Sequence, residues 1–205
     1  TSNNGAGTSE NIQASTNYRD KVGKNGTLGL NYNFMGNNTA FKSEQAIETL
    51  NPLGTFYTNT QSNGQNKNGG HTLMTDFNFK NKKIFVNGMF SGFYTLSRGD
   101  NVSFNNQSGV IRQDLKNTSQ SKNNAPNLNG NVSFSKLLKN KGNSFSASLG
   151  FSTGATHADQ NISTNTLYYD KDTQILKKDS LLSRNLITKS NSQNVNVGFN
   201  FGIGL

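Results

Sequence analysis

The sequence predicts an all-β fold, an antiparallel up-and-down transmembrane β-barrel present here as an incomplete curved sheet of about seven strands, and three observations predict it. Seven stretches of about ten residues alternate a bulky apolar side chain with Gly, Ser, Asn or Thr. No helical period interrupts them, and no run approaches the roughly 18 consecutive apolar residues of a membrane helix. Only 31% of the 205 residues are apolar and the mean hydropathy is −0.70, so a water-soluble core would be thin. Strand side chains point to opposite faces with a period of two, so each stretch is a ribbon with one apolar and one wet face. That is the signature of a membrane-crossing strand.

The first stripe sets Ile12, Ala14 and Tyr18 against Gln13, Ser15 and Asn17. The second is the clearest, with Leu28, Leu30, Tyr32 and Phe34 opposed to Gly29, Asn31 and Asn33. In the third, Leu73, Phe77 and Phe79 oppose Met74, Asp76 and Asn78. Ile84, Val86, Phe90 and Tyr94 form the fourth and weakest, because Phe85, Met89 and Phe93 sit in the opposite phase. Leu128, Val132 and Phe134 make the fifth; Phe145, Ala147, Leu149 and Phe151 the sixth; Val195, Val197, Phe199, Phe201, Ile203 and Leu205 the seventh. This phase predicts a lipid-facing set of Leu28, Leu30, Tyr32, Phe34, Phe145, Leu149, Phe151, Val197, Phe199 and Phe201. It turns Asn31, Asn33, Asp76, Asn129, Asn131, Asn196 and Asn200 toward a lumen.

Short basic turns interrupt the stripes at 19–26, 80–83 and 136–143, centred near Gly23, Lys82 and Asn140 at an interval of about 58 residues. Between them run long polar stretches, roughly 40–68, 98–126 and 157–192, read as loops. Short turns at one end and long loops at the other match the periplasmic and outer ends of an outer-membrane barrel. One interval is then one up-and-down strand pair. Arg19, Lys21, Lys24, Lys80, Lys82, Lys83, Lys136, Lys139 and Lys141 cluster at the turn end against Asp20 alone, and hold nearly all of the formal +9. Tyr18, Phe79, Phe85, Phe134 and Phe145 bracket the same turns, as rings do at the rims of such barrels.

A basic surface suits nucleic acid only where cations and rings share a groove. Here the rings lie in the stripes and the lysines at the turns, so no nucleic-acid partner is expected. His71, at a strand start, and His157, at a loop edge, have no spacing motif around them and read as rim residues rather than metal ligands. Asp170, Asp172 and Asp179 lack the glycine and terminal Glu of a calcium loop. No phosphate loop, dinucleotide fingerprint or Gly-x-Ser-x-Gly elbow is present, and the chain has no Cys. The sequence therefore predicts no catalytic residue, no metal and no cofactor.

Two strings carry a resemblance. Asn17-Tyr18-Arg19-Asp20-Lys21 precedes Leu28-Gly29-Leu30-Asn31-Tyr32-Asn33-Phe34, and Lys139-Asn140-Lys141-Gly142 leads into Ser144-Phe145-Ser146-Ala147-Ser148-Leu149. With the Asn- and Ser-rich stretches they resemble the outer-membrane β-barrel family of Bacteroidetes, similar to TonB-dependent receptors, over essentially the whole chain. The resemblance implies that residues 1–205 are part of a barrel domain in the cell outer membrane, with a plug and further strands elsewhere in a longer protein. It implies outer-membrane lipid, the rest of the barrel, the plug and an energy-coupling periplasmic protein as partners, and solute uptake as the function. A structural or adhesive surface protein, whose loops bind a partner while nothing passes through, is the alternative. The odd strand count fits a fragment, since single-chain bacterial barrels close with even numbers. Barrel proteins commonly finish on Phe, and Leu205 departs from this.

Overall fold

The computed structural model describes residues 2–52, 54–139, 142–170 and 172–203. They form seven strands: β1 (Ser2–Val22), β2 (Gly26–Asn51), β3 (Gly54–Lys80), β4 (Ile84–Gly109), β5 (Gln113–Leu137), β6 (Ser144–Tyr169) and β7 (Leu176–Gly202). Each pairs antiparallel with its sequence neighbour, in the order β1-β2-β3-β4-β5-β6-β7. Among the described residues β1 and β7 do not pair, so the sheet is open at both edges. This is the all-β, up-and-down, unclosed architecture that the alternation predicts. Leu205, last in the seventh stripe, lies outside the described residues.

The stretches 40–68, 98–126 and 157–192 are not long loops. They are the outer halves of the same strands, which reach 25–27 residues in β2 through β7. At about 3.3 Å per residue such strands are roughly 85 Å long. A tilted strand needs only about 9–11 residues to cross a bilayer. The outer halves lack apolar alternation because their apolar residues, such as Phe41, Phe104 and Leu186, fall on both faces rather than one, and alternation reports an apolar face rather than a strand. Pairing continues without it. Once the inner halves are in register, each further residue pair adds ladder hydrogen bonds without a new loop to close.

The ladder is regular, and its only register shift among the described residues is at Tyr168/Tyr169. The inner turns are short. Gly23 takes φ 65 in the β1–β2 turn, where a side chain would be strained. Asn81 Oδ1 accepts the backbone N–H groups of Lys83 and Ile84, closing the β3–β4 turn. The outer connections are short too: 52–53, 110–112 and 170–175. Pro52 follows the paired Asn51↔Gly54, a position where its fixed φ suits a turn. In the last connection Asp170 Oδ1 accepts from the N–H of Asp172 and of Thr173 at 2.9 Å each, and Lys177 Nζ lies 2.5 Å from Asp170 Oδ2.

One layer of strands has no interior. Among the described residues no apolar side chain is buried, and large ones such as Phe199 (74% exposed) and Val195 (69%) stand free. A sheet with one apolar face requires a cover for that face.

Candidate functional site: two faces of one sheet

The register decides which side chains share a face. Leu28 pairs with Phe77, Phe77 with Gly88, Gly88 with Val132, Val132 with Leu149 and Leu149 with Val197. One step away, Tyr18, Leu30, Thr75, Phe90, Gly130, Phe151 and Val195 form a parallel row. All seven stripes thus fall on one face as a continuous apolar belt. Leu28, Leu30, Tyr32, Phe34, Phe145, Leu149, Phe151, Val197, Phe199 and Phe201 all belong to it. Asn31, Asn33, Asp76, Asn129, Asn131, Asn196 and Asn200 all stand on the other face.

The belt is knitted by rings lying over glycines. A Cβ on Gly88 would collide with the Phe77 ring, and one on Gly130 with Phe90 and Phe151. Phe77 and Phe90 stack at 6.4 Å between centroids, and Phe90 and Phe151 approach to 6.1 Å. Such pairs contribute about 0.5–1.5 kcal/mol beyond their buried area. The one hydroxyl in the Leu30–Phe90 stretch of that row, Thr75 Oγ1, donates to the Gly29 carbonyl at 3.0 Å and so leaves no bare donor on the apolar face. The belt's upper edge is aromatic and polar at once. His71 sits 5.0 Å from Phe34 and 6.4 Å from Tyr94 by ring centroid, and shares a 2.8 Å hydrogen bond with the Tyr32 hydroxyl. It lies in the middle of β3 rather than at a strand start.

The belt's upper limit also falls toward β7. From β1 to β4 it is level, since Ile12 and Leu96 lie in one pairing row, and it then drops to Leu128 on β5 and to Val195 on β7, the latter in the row of Tyr18. That descent is what strand tilt in a barrel demands of a level apolar band.

On the polar face, Arg19 Nη2 donates to both oxygens of Asp76, at 2.8 and 2.9 Å, across the intervening strand β2. Gly29 makes this possible, because any Cβ there would fall within contact distance of both partners. The pair is exposed, 63% and 35% by side chain, and contributes at most about 1 kcal/mol. Arg19 is therefore a strand residue of the polar face as well as a member of the basic end. Asn129 donates to Asn127 at 2.6 Å, Ser133 donates to Asn87, and Asn33 Oδ1 is buried without a partner among the described residues. Met74, Met89, Phe85 and Phe93 punctuate this face. Phe85 consequently does not join Phe79 in one ring girdle: the two lie on opposite faces, and Lys80 Nζ stands 5.4 Å above the Phe85 ring.

The basic residues gather at the inner end. Lys24, Lys82, Lys83 and Lys139 are in the turns; Lys21, Lys80 and Lys136 are at or near strand ends; Lys141 lies outside the described residues. Asp20 is held there by the Tyr18 hydroxyl at 2.9 Å. His157 belongs to β6, opposite Asn124 and Lys189, and not to a loop edge. Asp179 pairs with Leu167 within β7, away from the Asp170 turn. Lys177 beside Asp170, with the turn amides, holds that carboxyl well below the usual carboxylate range.

Sequence reasoning missed a row of three cations. Lys67 pairs with Arg98 and Arg98 with Lys122, on the belt's own face and just beyond its upper edge. The signal was present, since each cation is in phase with its strand's apolar stripe.

No protein-family profile matches the chain, and no curated protein matches it. Among solved structures, the ferric-catecholate import receptor Fiu from E. coli K12 aligns at 8% identity over 96% of this chain and 47% of that one, with a TM-score of 0.14. The siderophore receptor PiuA from Acinetobacter baumannii aligns at 8% identity over 97% and 46%, with a TM-score of 0.17. OccK11 (OpdR) from Pseudomonas aeruginosa aligns at 6% identity over 97% and 94%, with a TM-score of 0.14. The chain spans about half the length of the first two. The sheet's own register, and not these overlaps, is what bears on function.

Proposed function

We propose that this chain is a wall segment of an outer-membrane transport barrel, with the apolar belt against lipid and the polar face toward a lumen. One observation carries the reading: a single register places seven independent apolar stripes on one face of an uncovered sheet, in a continuous band. The open edges of β1 and β7 would be completed by the remaining strands of the same barrel, because unpaired backbone groups in hydrocarbon cost several kcal/mol each. The inner turns, with Lys24, Lys82, Lys83 and Lys139, would face the periplasm, as short barrel turns do. Lumen contacts would then fall to Asn31, Asn33, Asp76, Asn129, Asn131, Asn196 and Asn200, and to a plug encoded elsewhere. The wall would have no catalytic role and would require no cofactor.

Residues 1–205 contain no cysteine, so each introduced thiol is the single one in this segment, and the unsubstituted protein gives the background labelling. Single Cys substitutions at 28 through 34, placed in the full-length protein and expressed in cells, are exposed to a membrane-impermeant maleimide. Labelling should alternate, with 31 and 33 reactive and 28, 30, 32 and 34 protected; position 29, where a side chain would meet Arg19 and Asp76, is left out of the comparison. Uniform labelling, or recovery of the protein in a soluble fraction, would sink the reading. The strands' polar outer halves favour a second role, a surface wall that binds a partner outside the cell. A protein that inserts but passes no solute, and keeps that binding when the plug is deleted, would have that role instead.

A further inference from the structure

Where the belt ends, its own face carries a recess of about 520 Å³. Gly36 and Gly69 pair directly across β2 and β3, leaving bare backbone as its floor. Ile12, Phe34, Tyr94 and Leu96 supply apolar walls, and Lys67 and Arg98 close the outer side. Lys67 and Arg98 are direct cross-strand neighbours, Lys122 stands opposite Arg98, and all three are exposed. Like charges placed directly opposite destabilise a sheet. Among the described residues none of the three has an ion pair. The nearby acids do not discharge the row: Glu10, in the same row two strands from Lys67, accepts from Asn38 at 3.2 Å, Asp100 lies two residue pairs farther from the belt, and Asp159, opposite Lys122, makes no ion pair among the described residues.

We propose that this recess binds a phosphate-bearing membrane lipid, its chain on the Gly36–Gly69 floor against Ile12, Phe34, Tyr94 and Leu96, and its phosphate spanning Lys67 and Arg98. The inference rests on the barrel reading, which turns this face to lipid. Apolar walls offer nothing to a free anion, whereas an amphiphile satisfies both halves of the recess. Two adjacent cations at a membrane surface also favour anionic over zwitterionic headgroups.

The test uses the full-length protein in neutral detergent, titrated separately with phosphatidylglycerol, phosphatidylcholine and inorganic phosphate, with bound molecules counted by native mass spectrometry. Phosphatidylglycerol should be retained selectively, and Lys67→Gln with Arg98→Gln should weaken it about thirty-fold. Lys178→Gln with Arg184→Gln removes the same charge from the opposite face and should change nothing. Gly69→Leu keeps both cations but fills the floor, where a Cβ meets only Met35 O at 3.7 Å, and should also reduce retention. Equal retention by the Lys67/Arg98 variant, equal binding of phosphatidylcholine, or effective competition by inorganic phosphate would each overturn the proposal. Cysteine labelling at 28 through 34 separates the two readings. An alternating pattern with no lipid selectivity removes the lipid site alone; loss of the pattern removes the barrel and the site together.

Discussion

The inner and outer halves of these seven strands share one backbone ladder and differ almost entirely in what their side chains face. In the inner half, one face is an apolar belt in which Phe77, Phe90 and Phe151 lie over glycines. In the outer half apolar residues are scattered over both faces, with Phe41 over Gly64 on one and Phe104 under Lys116 on the other, and neighbouring strands are also joined by side-chain hydrogen bonds. Asn37 donates to Asn11 at 2.6 Å, Gln65 to Asn38 at 2.8 Å and Asn185 to Asn161 at 2.8 Å. Antiparallel pairing, once begun, is thus carried by the backbone. The side chains decide only which solvent each face meets.

The sharpest way to break this contrast is to place a charge on each of four positions in the full-length protein in lipid. Leu30→Arg should cost about 2–4 kcal/mol near the bilayer midplane, and Asn31→Arg much less. Ser62→Arg and Asn63→Arg, on opposite faces of the outer half, should each stay within about 0.5 kcal/mol. Reversible unfolding from vesicles reads all four. Equal costs at 30 and 31 would mean the phase is wrong, and a large cost at 63 would abolish the distinction between the halves.

Glycine substitution sharpens the same comparison at smaller amplitude. Gly88→Ala forces the Phe77 ring aside and should destabilise by about 1–3 kcal/mol. At Gly5, in the outer half of β1, a Cβ meets only Lys42 O at 3.9 Å, so Gly5→Ala should be neutral or slightly stabilising. Similar losses at both sites would show that ring-over-glycine packing is not what holds the belt.

Smaller still is the polar ladder. Asn37→Ala removes donors to Ser9 and Asn11 and should cost about 0.2–1 kcal/mol, seen as faster amide exchange confined to the outer parts of β1 and β2. Global loosening would show that the outer half supports the belt rather than extending from it.

The smallest effect is at the 170–175 turn. Asp170 has a carboxyl pKa lowered by Lys177 and the turn amides, so its contribution is present above the ordinary unfolded Asp value, near 3.9, and is lost only as pH falls through the lower folded value. Its carboxyl resonance should still report an ionised group at pH about 3.9, where a free Asp is half protonated. Lys177→Ala should bring the midpoint back toward that value. A midpoint near 3.9 in the unsubstituted protein would remove the ion pair from the turn.

Strand number, sequential order and the phase of the second, sixth and seventh stripes were legible in the chain, because an apolar face leaves a period of two wherever it exists. The outer halves were not. Asn, Ser, Thr and Gln on both faces of a wet strand carry no period, and the same composition serves a loop. The phase of β4 was also open, with Ile84, Val86, Phe90 and Tyr94 competing against Phe85, Met89 and Phe93. Only pairing with Phe79, Phe77 and His71 on one side and with Phe134, Val132 and Leu128 on the other assigns the first set to the belt. Among candidate positions, those defined by parity were readable one strand at a time. The Arg19–Asp76 pair over Gly29 and the Lys67–Arg98–Lys122 row arise from register between strands, and register is a property of the paired sheet that no single strand contains.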